Sequence, residues 1–307
     1  MSIVCFGEVL IDFLNIKDNL FEANPGGAPA NVAAAISKFG GKSFLISQVG
    51  NDMFGKMILQ TLSNYNVDIS CVNVTNEYFT TLAFVKLNQK GERSFSFARK
   101  HGADVYVKKD NINLEIVKNA EIFHFGSLSM THPENKDVTF YLLEVARKSG
   151  AVISYDPNYR EPLWESRQQA VSTIFLPIEK GYVDILKMSE EEVLLYAKSA
   201  EEFYEMVKDK VKLLLVTLGE KGSKFFYKEE SVMVETIDVD SVDTTGCGDC
   251  FVGMTLFEIS KYLPFENIDK SLLYNIVKKA NIAGALCATK KGAIPAIPEY
   301  SEVLARL

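Results

Sequence analysis

The stretch DTTGCGDCF, residues 243–251, gathers two carboxylates, two threonines, two glycines and two cysteines just before the apolar helical run DCFVGMTLFEISKYL. Gly246 and Gly248 let the backbone curl so that the N–H groups of Gly246, Cys247 and Gly248 can face one anion. A helix start favours phosphate there, because its free N–H groups and positive dipole end point outward. Asp249 then falls in the first helical turn. A carboxylate beside a phosphate repels it unless it has work to do, such as accepting a proton from an attacking hydroxyl. The same residues also read as a polar turn in which Asp243 or Asp249 caps the helix. Cys247 and Cys250 form Cys-x-x-Cys at a helix start, a redox arrangement, although no repeated βαβ unit of thioredoxin size surrounds it. Zinc lacks a second half-site, since His101, His124 and His132 are all distant in sequence.

Two standard nucleotide loops fail on single positions. GGKS at 40–43 resembles the end of a P-loop, but the glycine required five positions before Gly41 is Ile36. A Rossmann fingerprint starting at Gly246 and Gly248 requires Gly or Ala at 251, where Phe251 stands. A phosphate site in this stretch is therefore of another type.

Further segments carry polar groups suited to a small ligand. PGGAPANVAAAISKFG, residues 25–40, sets Gly26 and Gly27 before a helix of small residues, and Asn31 can bond hydroxyls through both ends of its amide. The duller reading is a helix start with Pro and Ala packing. Asp12 ends the apolar run GEVLIDF, where a carboxylate without a partner is uncommon, and it suits either sugar hydroxyls or strand termination. YDPNYREPLW, residues 155–164, ends a strand in Asp156, Asn158 and Arg160, where ligand groups collect in α/β sheets; a structural ion pair is the alternative for Arg160. In KMSEEEV, residues 187–193, Glu190, Glu191 and Glu192 read as an acidic first turn or as carboxylates ordering water around Mg²⁺. VTLGEKGS, residues 216–223, is a strand ending in a Gly-x-x-Gly turn that fits a tight connection or a nucleotide.

These groups need a scaffold that brings strand ends together. From residue 115 onward, short β-rich runs alternate with amphipathic ones: EIFHFGS, ENKDVTFYLLEVARKSG, AVISYDP, RQQAVSTIFLPIEKG and VDILKMS. Strand then helix, repeated, predicts an α/β fold with a doubly wound, mostly parallel sheet covered on both faces. SIVCFGEVLIDF reads as one strand, NVAAAISKFG as a helix, SFLISQVG as a strand, FGKMILQTLSNY as a helix and MVETIDV as a strand. Residues 76–100 read instead as a hairpin, TTLAFVKL and RSFSFA around the turn NQKGE. With 14–25 it forms a small β lid, leaving 1–13, 26–75 and 101–307 as the large domain. Two long helical stretches, 249–262 and 271–289, close the chain.

Composition narrows the partners. The chain has 307 residues, 47% of them hydrophobic, enough for a large core. A net charge of −7 argues against a nucleic-acid partner, which usually meets a basic patch. No run approaches a membrane span and MSIVCFGEVLIDFL has no basic n-region, so neither a membrane nor a secretory route is expected. The five scattered cysteines fit reduced thiols, and a cytoplasmic location is expected.

GEVLIDF, PGGAPANVA, VGNDMFG, YDPNYREPLW, KMSEEE, VTLGEKGS, DTTGCGD and KKGAIPA stand in the order and spacing of the ribokinase-like (pfkB-type) carbohydrate kinases, which the chain resembles over practically its whole length. PGGAPANVA together with DPNYR and the following LW is most similar to fructokinases. The resemblance implies a large doubly wound α/β domain with a β lid, and transfer of the ATP γ-phosphoryl group to a primary sugar hydroxyl, the 6-hydroxyl of D-fructose in the fructokinase case. It implies Asp249 as base and the N–H groups of Gly246, Cys247 and Gly248 as anion hole. Asp12, Gly26, Gly27, Asn31, Arg99, Asn158 and Arg160 would face the sugar, and Thr217, Gly219, Gly222, Asn281 and Lys187 would border the nucleotide. Glu192 matches the glutamate of the family's Asn-x-x-Glu motif, associated with Mg²⁺ through water, but Ser189 replaces the Asn. TKKGAIPA, residues 289–296, corresponds to a region that binds K⁺ in many members together with residues around Asp243 and Thr245. The family also implies a homodimer formed through lid strands. Where it usually has Ala, this chain has Cys247, read either as a tolerated small residue or as a thiolate-prone, alkylation-sensitive site. A kinase for 2-keto-3-deoxygluconate or ribose, or a catalytically silent sugar-binding regulator, is the alternative on the same fold.

Overall fold

The structure, a computed structural model, describes residues 2–87 and 93–307. The turn read at NQKGE lies outside the described residues. In chain order the strands are β1 (Ser2–Phe6), β2 (Leu10–Lys17), β3 (Leu20–Gly26), β4 (Lys42–Gly50), β5 (Val72–Thr75), β6 (Thr81–Leu87), β7 (Arg93–Ala98), β8 (Ile122–Gly126), β9 (Val152–Asp156), β10 (Ile185–Ser189), β11 (Leu213–Thr217), β12 (Ser223–Tyr227) and β13 (Glu230–Val234). The helices are α1 (Ala28–Lys38), α2 (Met53–Asn64), α3 (Leu114–Lys118), α4 (Pro133–Lys148), α5 (Arg167–Glu179), α6 (Glu190–Val193), α7 (Ala200–Val207), α8 (Cys247–Ser260), α9 (Lys270–Ala288) and α10 (Tyr300–Leu304).

Among the described residues, nine strands form the main sheet in the order β13-β12-β11-β10-β9-β8-β1-β4-β5. It is parallel from β11 through β5, and only β12 and β13 run antiparallel. Along β1 the side chains alternate between layers: Ile3 and Cys5 join the core under α1, α2, α8 and α9, while Val4 and Phe6 join the one under α4, α5 and α7. That two-sided burial is why these strands read as continuous apolar runs. The doubly wound, mostly parallel α/β fold expected from the alternation is the fold observed.

The second sheet, in the order β3-β2-β6-β7, is the small β lid. SIVCFGEVLIDF, read as one strand, is two: β1 stays in the main sheet and β2 crosses into the lid to pair with β3 and β6. An apolar run carries no mark of which sheet it will pair with, so the break at 7–9 was invisible. MVETIDV is likewise shorter than read, because β13 ends at Val234. The lid's root is fixed by Asp52, which caps α2 by accepting from the Phe54 and Gly55 amides and also holds Thr80 at the start of β6, through its amide (2.8 Å) and hydroxyl (2.9 Å). Phe13 of the lid stacks on Phe84 and meets Phe54 of α2 edge-on. Among the described residues no helix is long and apolar enough to cross a membrane.

Candidate active site

A cleft of about 760 Å³ opens at the carboxyl ends of β1, β8, β9, β10 and β11, with the lid over one side. This is where open α/β sheets collect ligands. Leu10, Asp12, Val85 and Phe97 of the lid face it, and the start of α8 closes its floor. Of the residues singled out above, Asp12, Gly27, Asn31, Asn158, Arg160, Lys187, Glu192, Thr217, Gly219, Thr245, Gly246, Gly248 and Asp249 line it. Segments more than 200 residues apart in sequence thus converge, as the Asn31–Asp249 hydrogen bond shows directly: Asn31 Nδ2 donates to Asp249 Oδ2 at 2.8 Å across a separation of 218.

The cup forms as its glycines suggest. Gly246 is the N-cap of α8 in the left-handed region, φ 75° and ψ 0°, and a Cβ there would stand 2.6 Å from Ala293 Cβ. Lys187 Nζ lies 3.2 Å from where a Cβ on residue 248 would be, so an ammonium group flanks the cup. That ammonium is buried and pairs with Asp156 at 3.0 Å. Burial alone would depress the Lys187 pKa, but the carboxylates of Asp156, Glu192 and Asp249 outweigh it and hold it above the ordinary value. Asp249 is itself buried, and burial raises its pKa to about 6; the Asn31 hydrogen bond pulls it down, Asp156 pushes it up, and Lys187 and Arg160 favour the charged form. A carboxylate poised there is ionised at neutral pH yet basic enough to take a hydroxyl proton.

The residues expected to face a sugar are tightly built. Gly27, at φ 109°, lies against the Glu8 carbonyl, 2.5 Å from where a Cβ would be, so only glycine lets the backbone pass. A side chain at Gly26 would strike Asp12 Oδ2. Asn158 is buried at φ 52°, a conformation that non-glycine residues adopt sparingly and that clusters at ligand sites. Arg160 lines the cleft and donates to the Tyr159 carbonyl. Arg99 does not line it. Its guanidinium is buried and bonds Asp104, the Thr131 hydroxyl and the Leu128 carbonyl, so it braces the Leu128 wall rather than reaching the cavity.

Gly222 and Asn281, expected to border a nucleotide, do not line the cleft either. Asn281 donates to the carbonyls of Val234 and Glu235, holding the end of β13, and Gly222 turns the chain into β12 against the Val234 carbonyl. Glu192 lines the cleft, but both its oxygens accept from backbone: Oε2 from Ser189, completing a capping box, and Oε1 from Tyr159. Ser189, in place of the family's Asn, is thereby the N-cap of α6. Among the described residues no cluster of three or more His, Cys, Asp or Glu could by itself hold a metal ion. Asp243 accepts from Thr245 and from the Gly292 amide, tying the DTTGCGD loop to the 289–296 loop.

Cys247 does not line the cleft: its amide donates to the Thr244 carbonyl at 3.4 Å, and its thiol rests on the Asp243 carbonyl. The thiolate-prone reading is corrected: a hydrogen bond with Cys287, then burial, push the thiol well above the ordinary range.

Glu8 was missed. It lines the cleft floor, accepts from the Ala28 amide at 3.1 Å through Oε1, and has a buried Oε2 with no hydrogen-bond partner. The reasoning applied to Asp12, a carboxylate inside the apolar run GEVLIDF, would have found it. Burial raises its pKa from 4.5 to about 7, with Arg99 lowering and Asp104 raising it. A folded pKa above the unfolded one means stability that is complete below about 4.5 and is lost as pH rises through about 7, at most about 3 kcal/mol. Glu8→Gln, neutral at every pH, is expected to shrink the fall in melting temperature between about pH 5 and about pH 8. An unchanged fall in thermal melts would show that Glu8 does not titrate there.

A family model described as pfkB family carbohydrate kinase matches residues 1–299. The sequence is 41% identical to "Probable fructokinase-3" of Arabidopsis thaliana, across 99% of this chain and 91% of that protein. The fold superimposes on a fructokinase with bound ATP from Xylella fastidiosa with a TM-score of 0.93 and 32% identity, covering 99% of this chain and 97% of that one. A fructokinase from Vibrio cholerae O395, solved with fructose, ADP and calcium ion bound, gives a TM-score of 0.90 and 32% identity over 99% and 98% of the chains.

Proposed function

The chain belongs to the pfkB family of carbohydrate kinases, and on that premise we propose that it is an ATP-dependent fructokinase that phosphorylates the 6-hydroxyl of D-fructose with Asp249 as base. The observation that carries the reading is the Asn31–Asp249 hydrogen bond beside the glycine cup, which sets a raised-pKa carboxylate between a sugar-side helix and an anion site.

The sugar would lie against Asp12, Gly27, Asn31, Asn158 and Arg160, with Gly26 leaving room for the Asp12 carboxylate, and the nucleotide along Thr217 and Gly219 with its phosphates toward Lys187 and the cup. Asp249 accepts the hydroxyl proton as the oxygen attacks the γ-phosphorus in line and the bond to ADP breaks. The amides of Gly246, Cys247 and Gly248 and the Lys187 ammonium hold the charge of the transferring group. No covalent nucleophile is required. Lid closure excludes water, whose attack would waste ATP.

The carboxylates of Glu190, Glu191 and Glu192 offer the hard oxygen donors that suit Mg²⁺. With Glu192 committed to backbone amides, they would hold it through water, and bound Mg²⁺ would neutralise phosphate charge. The Asp243–Gly292 bridge joins the two loops that the K⁺ reading requires, so K⁺ beside Asp243 and Thr245 is part of the proposal. So is a homodimer through the lid, whose Ile16, Leu20 and Phe21 are exposed. Light scattering is expected to give twice the 34.3 kDa chain mass. All five cysteines are unpaired, which favours a reducing cytoplasmic setting.

The test is Mg·ATP-dependent ADP release over fructose, ribose, glucose, 2-keto-3-deoxygluconate and a no-sugar control. Fructose is expected to lead. Arg160 and Arg167 both line the cleft and would suit the carboxylate of 2-keto-3-deoxygluconate, so preference for that acid is the specific alternative. No turnover with any sugar would favour a silent sugar-binding regulator.

A further inference from the structure

The arm of the lid made by β6 and β7 is rooted in a buried polar knot that phosphoryl transfer does not use. Thr80 and Thr81, consecutive and buried at the start of β6, are held from two segments: Thr80 by Asp52 at the start of α2, and Thr81 by a hydrogen bond from its hydroxyl to Asp104. At the other end of the arm, Arg99 directly follows the last residue of β7, and its Nε (2.9 Å) and Nη2 (2.8 Å) grip the same Asp104 carboxylate. Both strands of the arm therefore leave the main domain through one aspartate. Asn135 of α4 steadies that aspartate by donating to its carbonyl at 3.0 Å. The guanidinium reaches further: Nη1 donates to the Thr131 hydroxyl at 2.8 Å and Nη2 to the Leu128 carbonyl at 3.1 Å. Both acceptors belong to the turn that follows β8, and Leu128 lines the cleft.

We propose that Arg99 is a positioning residue that couples the arm of the lid to the Leu128 wall, so that lid and wall meet a bound sugar as one surface. The inference rests on the kinase reading. Arg99 is 5% exposed, and a buried charge that loses its partners costs more than a small shift of the turn that carries them. When the arm swings about its root, Arg99 must either abandon the Thr131 hydroxyl and the Leu128 carbonyl or draw their turn along. The second course is the cheaper one. Val85 and Phe97, which face the cleft from the arm, lie close in sequence to Thr81 and Arg99, so a swing at the root reaches both. A lysine at 99 keeps a charge for Asp104 but has no planar fork to reach the turn at the same time. Lid and wall then move separately, the sugar is held less well, and water gains access to the transferring phosphoryl group.

The experiment compares wild type with Arg99→Lys, Thr131→Val and Thr131→Ser, checks each fold by thermal melting, and follows ADP and fructose phosphate in one reaction. Thr131→Val removes one acceptor of Arg99 and leaves the Asp104 pair, so it answers the question should Arg99→Lys lose its melting transition. Both are expected to raise the fructose KM about tenfold, the effect of losing one charge-assisted hydrogen bond, with kcat at saturating fructose within about threefold of wild type. ADP release without sugar should rise in both. Thr131→Ser, which keeps the hydroxyl, is expected to match wild type. A fall in kcat alone, an unchanged KM and sugar-free ADP release, or equal effects of Thr131→Val and Thr131→Ser would overturn the proposal. Amide hydrogen exchange without ligands needs no kinase assignment: β7 and residues 127–131 should lose protection together in both Arg99→Lys and Thr131→Val. A change confined to one segment, or none in either, would overturn the coupling. Coupled exchange in a protein that turns over no sugar would uphold the coupling and overturn the kinase reading.

Discussion

Asp249→Asn is expected to lower kcat by about 10²- to 10⁴-fold, the range that a positioned general base supplies. The sugar KM should stay within a few-fold, because the amide that replaces the carboxylate can still accept from Asn31 Nδ2 and so leaves the sugar-side helix in place. The pH profile provides a second check on the same group. Its carboxyl must be ionised to act, so wild-type kcat should fall about tenfold per pH unit below its pKa of about 6. The residual activity of Asp249→Asn should lack that limb. Steady-state kinetics showing an unchanged kcat would remove Asp249 from the role of base.

Gly246→Ala is expected to cost about 10²- to 10³-fold in kcat, the typical loss when an oxyanion-hole donor is displaced. The residue caps α8 at φ 75°, and its new Cβ would press within 2.6 Å of Ala293 Cβ and 2.9 Å of Ala293 Cα. Backbone cannot yield as a flexible side chain would, so the amides of residues 246–248 must shift. On the proposed reading the sugar lies elsewhere in the cleft, against Asp12, Gly27 and Asn31, so its affinity should change little. Titrating fructose and ATP separately distinguishes this from general damage: a loss confined to kcat indicts the cup, and kcat within about threefold of wild type would show that the cup does not stabilise the transferring group.

Much of this site is readable locally. Gly246 and Gly248 before an apolar run specify a curled helix start, Asp249 falls in its first turn by position alone, and the strand-to-helix alternation fixes a parallel sheet whose carboxyl ends must carry the ligand groups. These follow from φ/ψ preference, helix-end chemistry and two-sided burial, all properties of short segments. Charged residues inside apolar runs were also visible, and Glu8 could have been taken together with Asp12 on that ground.

Tertiary structure alone decided which groups meet. Arg99 and Asn281 are as polar in sequence as Arg160 and Asn158, yet Asp104 claims the first and the end of β13 claims the second, while the other two reach the cleft. Glu192 keeps its family position but spends both oxygens on backbone amides. Cys247 and Cys250 form a Cys-x-x-Cys in sequence, yet the Cys247 thiol rests on the Asp243 carbonyl of its own loop and the Cys250 thiol on the Ala283 carbonyl of α9. Local sequence sets the conformation of a segment, whereas partner choice and pKa depend on burial and on charges brought from other segments, which exist only once the chain has packed.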